Sequence, residues 1–525
     1  MRVESRDDIA ALERLTRMKK FPLAFLFLVA ACGSEDDPEL TAPVTSADTD
    51  TKPAGTETQP GDTEASGPVI PPQEGALLPL EWASTDFGQA TYLNVGQLDF
   101  GSDDSLVVGS TIDDRSTNLY APRGRIDRFT ADGALLWTVE LGFDEFAGDI
   151  PVPEESDTIQ IDGKAVHLAS IDHTADGQIL VAFNVVLDYF DYESDVGINY
   201  TTRSYIRSYD LDGNVVCTSP LGGVTDFPAR DSVDELAGVN GIRALSDGSI
   251  VWSGDTTRGQ HPFDHWTLVT EGSLGRLSAD GTPLWTVVLG QELDMPNMIA
   301  PAEEIAMDVQ PTADGGLAVR GHFHGTLTIG DLSATSTDRS TFVARLDLDG
   351  TPTWLATVLD SEPISGWFAF PGMGIDSAGN LFTASYIFAE DTTHLIQVSP
   401  SGEILTQVAL GDVETLAVSA DDHIVVGGST LIELGDDQYA WPGRVEVRQP
   451  DGTIVASRLF ATADPQPDES SRAFAVATSP SGRIAVGGTF DAAIDLGAGT
   501  VTSTPGVDIS AYVAVYSDSC GAGHD

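Results

Sequence analysis

The sequence predicts an all-β fold, a seven-bladed β-propeller of four-stranded antiparallel blades in which an N-terminal strand completes the last blade. Three observations predict it. Two kinds of hairpin alternate along the chain, each turns on a Gly or Asp, and the last copy is one strand short while an orphan strand stands in front of the first. Two hairpins make four strands, the content of one blade.

The first hairpin type reads as a turn followed by Ile/Leu-x-Val-x-Gly. It recurs around Asp104, Gly177, Gly248, Gly315, Gly379, Asp422 and Gly482. The second type is a strand, a turn of the Asp-Gly kind and a strand marked in several copies by Trp; its copies run through Trp137, Cys217, Trp285, Trp354, Leu405 and Ile454. Gly accepts positive φ and Asp bonds its own backbone, so both suit tight turns. After Gly482 the segment AYVAVYSDSC supplies a third strand and no fourth, while ALLPLEWAS through Trp82 has no partner of its own. Pairing the two closes the ring and removes free sheet edges.

The best copies are ADGGLAVRGHFHGTLTIG with TFVARLDLDGTPTW, and SGRIAVGGTFDAAIDLG with AYVAVYS. They resemble the β-propeller repeats of bacterial secreted proteins and lipoproteins over roughly residues 76–518. The Trp of the second hairpin is also similar to that of quinoprotein (PQQ-like) repeats. The metal and quinone ligands of those enzymes are not evident here, so no cofactor is expected. Trp82, Trp137, Trp285 and Trp354 are read as wedges between neighbouring sheets, and Cys217, at the same strand position, as a buried core residue.

Residues 1–31 read as an export signal whose true start is Met18: Lys19 and Lys20 precede an apolar run from Phe21 to Ala31, too short to span a bilayer as a helix, which takes ~20 residues. Val29-Ala30-Ala31-Cys32 resembles the lipobox of bacterial lipoproteins, which implies lipidation of Cys32 and a membrane held through the acyl anchor. By the same resemblance, the lack of Asp after Cys32 implies the outer membrane, on its periplasmic or surface side. Residues 32–75, rich in Thr, Pro and acids, cannot bury a core and read as a tether. The propeller then occupies 76–518, and 519–525 form a short tail.

The chain carries 81 acidic and 26 basic residues, a formal charge of −55. Such a surface repels phosphate backbones, so nucleic acid is not an expected partner, and it suits a soluble monomer. An unknown protein or glycan ligand is expected instead. Blades average roughly 63 residues against ~40–50 in familiar propeller repeats. With the four strands of a blade lettered A to D in chain order, the surplus falls in the connections on one face, the B-to-C and D-to-A loops, where repeat proteins bind.

Candidate ligand-binding residues in those loops are Tyr189, Phe190, Tyr192, Tyr200, His261 and Trp266, aromatics set among carboxylates that suit sugar stacking, peptide grooves or cation capture. Packing of the loops onto the propeller top is the competing role. A metal set of His261, Asp264, His265, His322 and His324 is a weaker candidate. No catalytic motif is present. The leading reading is a non-catalytic binding or scaffold surface. The alternatives are a hydrolase or lyase acting on polysaccharide or peptide, and a periplasmic assembly factor resembling the propeller lipoprotein of the outer-membrane barrel assembly machinery.

Overall fold

The computed structural model describes residues 75–517, apart from 86, 88–91, 114–120, 153–158, 192–197, 228–235, 261–266, 290–301, 304, 361–371, 388–389, 391, 436–437 and 504–508. Two short strands, β1 (Ala76–Leu77) and β2 (Leu80–Ser84), come first. Blade one is β3 (Tyr92–Phe100), β4 (Leu106–Asp113), β5 (Arg123–Phe129) and β6 (Leu135–Leu141). Blade two is β7 (Ile159–His173), β8 (Ile179–Asp191), β9 (Ile198–Tyr209) and β10 (Val215–Phe227). Blade three is β11 (Leu236–Ala244), β12 (Ile250–Gln260), β13 (Thr267–Leu277) and β14 (Pro283–Leu289), with β15 (Ala302–Glu303) beside β13. Blade four is β16 (Ile305–Pro311), β17 (Gly316–Ile329), β18 (Leu332–Asp347) and β19 (Pro352–Asp360).

Blade five is β20 (Met373–Ile375), β21 (Leu381–Ile387), β22 (Thr392–Val398) and β23 (Ile404–Gly411). Blade six is β24 (Val413–Val418), β25 (Ile424–Ser429), β28 (Gly443–Arg448) and β29 (Ile454–Leu459), with the hairpin β26 (Ile432–Gly435) and β27 (Gln438–Ala440) inserted. Blade seven is β30 (Ser471–Thr478), β31 (Arg483–Phe490), β34 (Ser510–Ser517) and β2, with the hairpin β32 (Ala493–Asp495) and β33 (Thr500–Thr502) inserted. The closure is therefore the expected one: β2 pairs antiparallel with β34, Ala83 opposite Ala514.

The seven first strands stand next to one another round the ring and form its inner wall. The apolar core is not one mass but seven wedges, one at each junction between blades. Middle strands lie between two neighbouring sheets, so they are buried on both faces, as in β25 and β31, whereas the outer strand β6 alternates between exposed and half-buried positions.

All thirteen recurrent turns hold their turn residue at positive φ, seven between first and second strands and six between third and fourth. Eleven of the thirteen use Gly; Asp104 (φ 58°) and Asp422 (φ 62°) do not. Each of these two carboxylates crosses to the turn of the preceding blade: Asp104 accepts Ser481 Oγ at 2.9 Å, and Asp422 accepts Ser377 N at 2.6 Å. The bond to the neighbour offsets the backbone cost of a side chain in the left-handed region.

The outer-strand Trp residues do more than wedge. Trp82, Trp137, Trp285 and Trp354 donate Nε1 to Ala131 O (3.0 Å), Leu211 O (3.0 Å), Leu348 O (2.8 Å) and Pro400 O (2.9 Å), each in the outer turn of the following blade. Their rings lie on the Gly of that turn, where a Cβ on Gly133 would come within 2.7 Å of Trp82. At three junctions an Arg of the same blade donates to the same carbonyl: Arg483 to Ala131, Arg128 to Leu211 and Arg276 to Leu348. Cys217 corrects the sequence expectation. It is free and exposed, because the outer strand faces solvent and a small side chain there does not reach the neighbouring turn.

Candidate functional site

The two faces of the ring differ. One bears the thirteen tight turns. On the other, blades two, three and four lengthen their middle strands: β8 and β9 have 13 and 12 residues, β12 and β13 both 11, β17 and β18 14 and 16. The middle strands of blades one, five and six run to only 6–8 residues. Much of the surplus length expected in irregular loops is thus ordered hairpin, because alternating residues let the ladder continue past the core. Three adjacent blades raise a wall along one side of this loop face.

Tyr189 stands in β8, half-buried, opposite Asn199 of β9. Phe190 and Tyr200 belong to the same hairpin and His324 to β17, but their side chains lie outside the described residues, as do Tyr192, His261, Asp264, His265 and Trp266 entirely. His322 is buried between blades four and five, its Nδ1 3.2 Å from Thr341 Oγ1, which in turn is 2.7 Å from Ser385 Oγ. A bulge between Phe323 and Gly325 breaks the simple alternation assumed for His322 and His324. Among the described residues no group of three or more His, Cys, Asp or Glu is arranged to hold a metal ion.

The inner wall carries a feature that the hairpin repeats did not reveal. Among the described residues, six first strands bulge at the equivalent residue, four before the strand end: Gly96, Ala169, Asn240, Met307, Glu414 and Phe474. A bulge re-aims a side chain and sharpens the twist, and repeated round a ring it sets one residue per blade at the same level. Glu414 is the one acid among the six. Its Oε1 accepts Arg472 Nη1 of blade seven at 3.2 Å, and its buried Oε2 has no hydrogen-bond partner. Burial, with Asp412 adding to it and Arg472 opposing, pushes the carboxyl up to about 7.

Nearer the turn face, a chain of polar contacts runs from blade one to blade five. Asp99 Oδ2 meets His173 Nδ1 at 2.5 Å, and Asp172 accepts Ala244 N at 2.5 Å. Arg243 lies 3.5 Å from Asp308, which also accepts Met373 N at 3.2 Å. Burial, and then the charge of Asp99, raise the Asp172 carboxyl; burial opposes charge on Arg243, but Asp308 and Asp172 outweigh it and its pKa is raised. Arg320 is fully buried and donates Nη2 to Ala384 O at 2.9 Å. The residues equivalent to it are Gly109, Ala182, Ser253, Ala384, Gly427 and Gly487, all small. A Cβ on Gly487 would come within 2.4 Å of Val95, in the inner strand of the next blade. Among the described residues, blade five presents only the three-residue β20 there, and burial lowers the Arg320 guanidinium to about 10.

No protein-family model and no curated sequence matches the chain. Similar solved structures include a Dyadobacter fermentans protein of unknown function, at 10% identity over 69% of this chain and 100% of that one with a TM-score of 0.36. An α-L-arabinanase of Penicillium chrysogenum complexed with arabinobiose is 9% identical over 84% and 98% of the two chains, with a TM-score of 0.34. A Hadza microbial sialidase is 10% identical over 64% and 63%, with a TM-score of 0.33. Likenesses this distant leave the function of the chain to its own residues.

Proposed function

We propose that the protein is a lipid-anchored envelope protein, held to the outer membrane through Cys32, that captures a protein or glycan ligand on the loop face without transforming it. The asymmetry of that face carries the reading. Three adjacent blades extend their hairpins while the turn face is nearly uniform, and extensions gathered on one face are where repeat folds bind. The aromatic and acidic hairpin of blade two, with Tyr189 in it, supplies stacking surface and hydrogen-bond acceptors.

The test is capture on glycan and peptide arrays, repeated after residues 188–200 are replaced by Asn-Gly so that Leu187 and Thr201, already paired, close a short hairpin. The trimmed protein should fold and lose capture. Unchanged capture after equivalent trimming of blades three and four as well would sink the reading. Protease shaving of intact cells, which removes the domain only if it lies outside the outer membrane, separates a surface ligand from a periplasmic one.

One observation favours an enzyme instead: Glu414, a buried carboxyl brought near neutrality on the inner wall, has the property of a general acid or base. Turnover of a polysaccharide or peptide substrate that disappears in Glu414→Gln would establish that reading over the first.

A further inference from the structure

The chain itself shows how one outer edge is covered. β1 adds to blade six as a fifth strand, parallel to β29, with Ala76 opposite Ala456 and Leu77 opposite Ser457. Ala456 stands where blades one, three, four and seven place Trp, two residues into the outer strand. Leu78, which follows β1, is buried with Ala456 in the wedge between blades six and seven. A small residue on the outer strand and a Leu delivered by an added strand replace the Trp. Beneath β1, Ile454 and Val455 are half-buried.

The equivalent apolar pairs of other blades are uncovered. Leu135 and Leu136, Val215 and Val216, and Ile404 and Leu405 are 42–53% exposed. Blades one and three have their Trp in place. Blade five has Thr406, but Val408 lies over Gly452 of the next turn, within 2.6 Å of where its Cβ would be. Blade two has neither. Cys217 is exposed, only Ser219 stands within 4 Å of a Cβ built on Gly281 of the following turn, and β10 has no outer neighbour among the described residues. Every outer strand bulges one residue before the Trp position, at Val216 here and at Val455 in blade six. Such bulges discourage edge pairing, yet blade six accepts a strand just past its own.

We propose that the outer edge of blade two is a strand-addition site for an extended, uncharged peptide of another polypeptide. The peptide runs parallel to β10 and sets an aliphatic side chain between blades two and three, as Leu78 does between six and seven. Main-chain bonds to the edge give affinity, and the notch left by Cys217 gives selectivity for one large apolar residue two positions after a small one, as Leu78 follows Ala76. This site lies on the outer rim, apart from the loop face, and does not depend on what that face binds.

The probe is a fluorescein-labelled synthetic peptide of residues 75–80, GALLPL, amidated at its C-terminus, titrated with the full mature chain and read by anisotropy. Saturable binding is expected. Cys217→Trp, which supplies the missing ring, should weaken it about tenfold or more while thermal unfolding holds or rises, and Val216→Asp, at an exposed position, should do the same. Absence of binding, or binding that neither substitution changes, overturns the proposal. So does self-association in sedimentation without peptide capture, because the occupant is then a second copy of the chain.

Discussion

Four junctions between blades are closed by a Trp that lies on the neighbour's turn glycine and donates to its carbonyl; three are not. Both groups contain an apolar wedge of the same kind, so the wedge makes the ring and the Trp only fastens its outer rim. The unfastened junctions then differ among themselves. Between blades six and seven the chain's own first strands do the fastening, between five and six Val408 fills the place, and between two and three, among the described residues, only the small Cys217 and Ser219 stand there. Where a fastening is absent, the edge is available to something else.

The largest break in this comparison comes from removing residues 76–84. That deletes β1, Leu78 and β2 together, exposes β34 and β29, and should abolish cooperative thermal unfolding by circular dichroism. Next comes Trp137→Ala, which removes the ring from Gly213 and the bond to Leu211 O. It should cost about 2–3 kcal/mol in denaturant unfolding, more than Cys217→Ala at the unfastened junction, which should be nearly neutral. Equal losses would show that the fastening contributes nothing beyond the wedge.

A third effect depends on pH. Glu414 has its folded pKa raised to about 7 from an ordinary 4.5, so between these values the folded chain holds a proton that the unfolded chain releases. Its contribution is fully present below pH 4.5 and is lost as pH rises to 7, and the shift of Asp172 acts in the same direction. Melting temperature should therefore fall from pH 5 to pH 7.5, and Glu414→Gln should flatten that slope. The smallest effect is at the turns. Asp422→Ala should be about 1 kcal/mol worse than Asp422→Gly, since both lose the bond from Ser377 but only Ala keeps a Cβ at positive φ.

The ring was legible in the sequence because its determinants are local. A turn residue at positive φ and a period-two strand announce themselves within ten residues, and Asp104 and Asp422 could be aligned with the glycines. The orphan strand at Trp82 was legible by its likeness to the Trp137 strand. The inner wall was not. Asp99, Asp172, Arg243 and Asp308 each sit some seventy residues from the next, and only ring closure brings them together. Glu414 gives no local sign either, since a bulge adds one residue to a strand without altering its turn. Cys217 misled because sharing a position with Trp does not mean sharing its burial: the ring of Trp137 reaches the neighbouring blade, and a thiol on the outermost strand stays in solvent.

The entry of the chain has a mechanical consequence. Gly75 packs against Val455 at the turn end of β29, and β1 and β2 both run from that end toward the loop face. A pull on the N-terminus from the turn side loads these strands along their length, so their hydrogen bonds bear force together rather than opening one after another. The same strands that complete the ring are thus oriented to resist shear when force reaches them through Gly75.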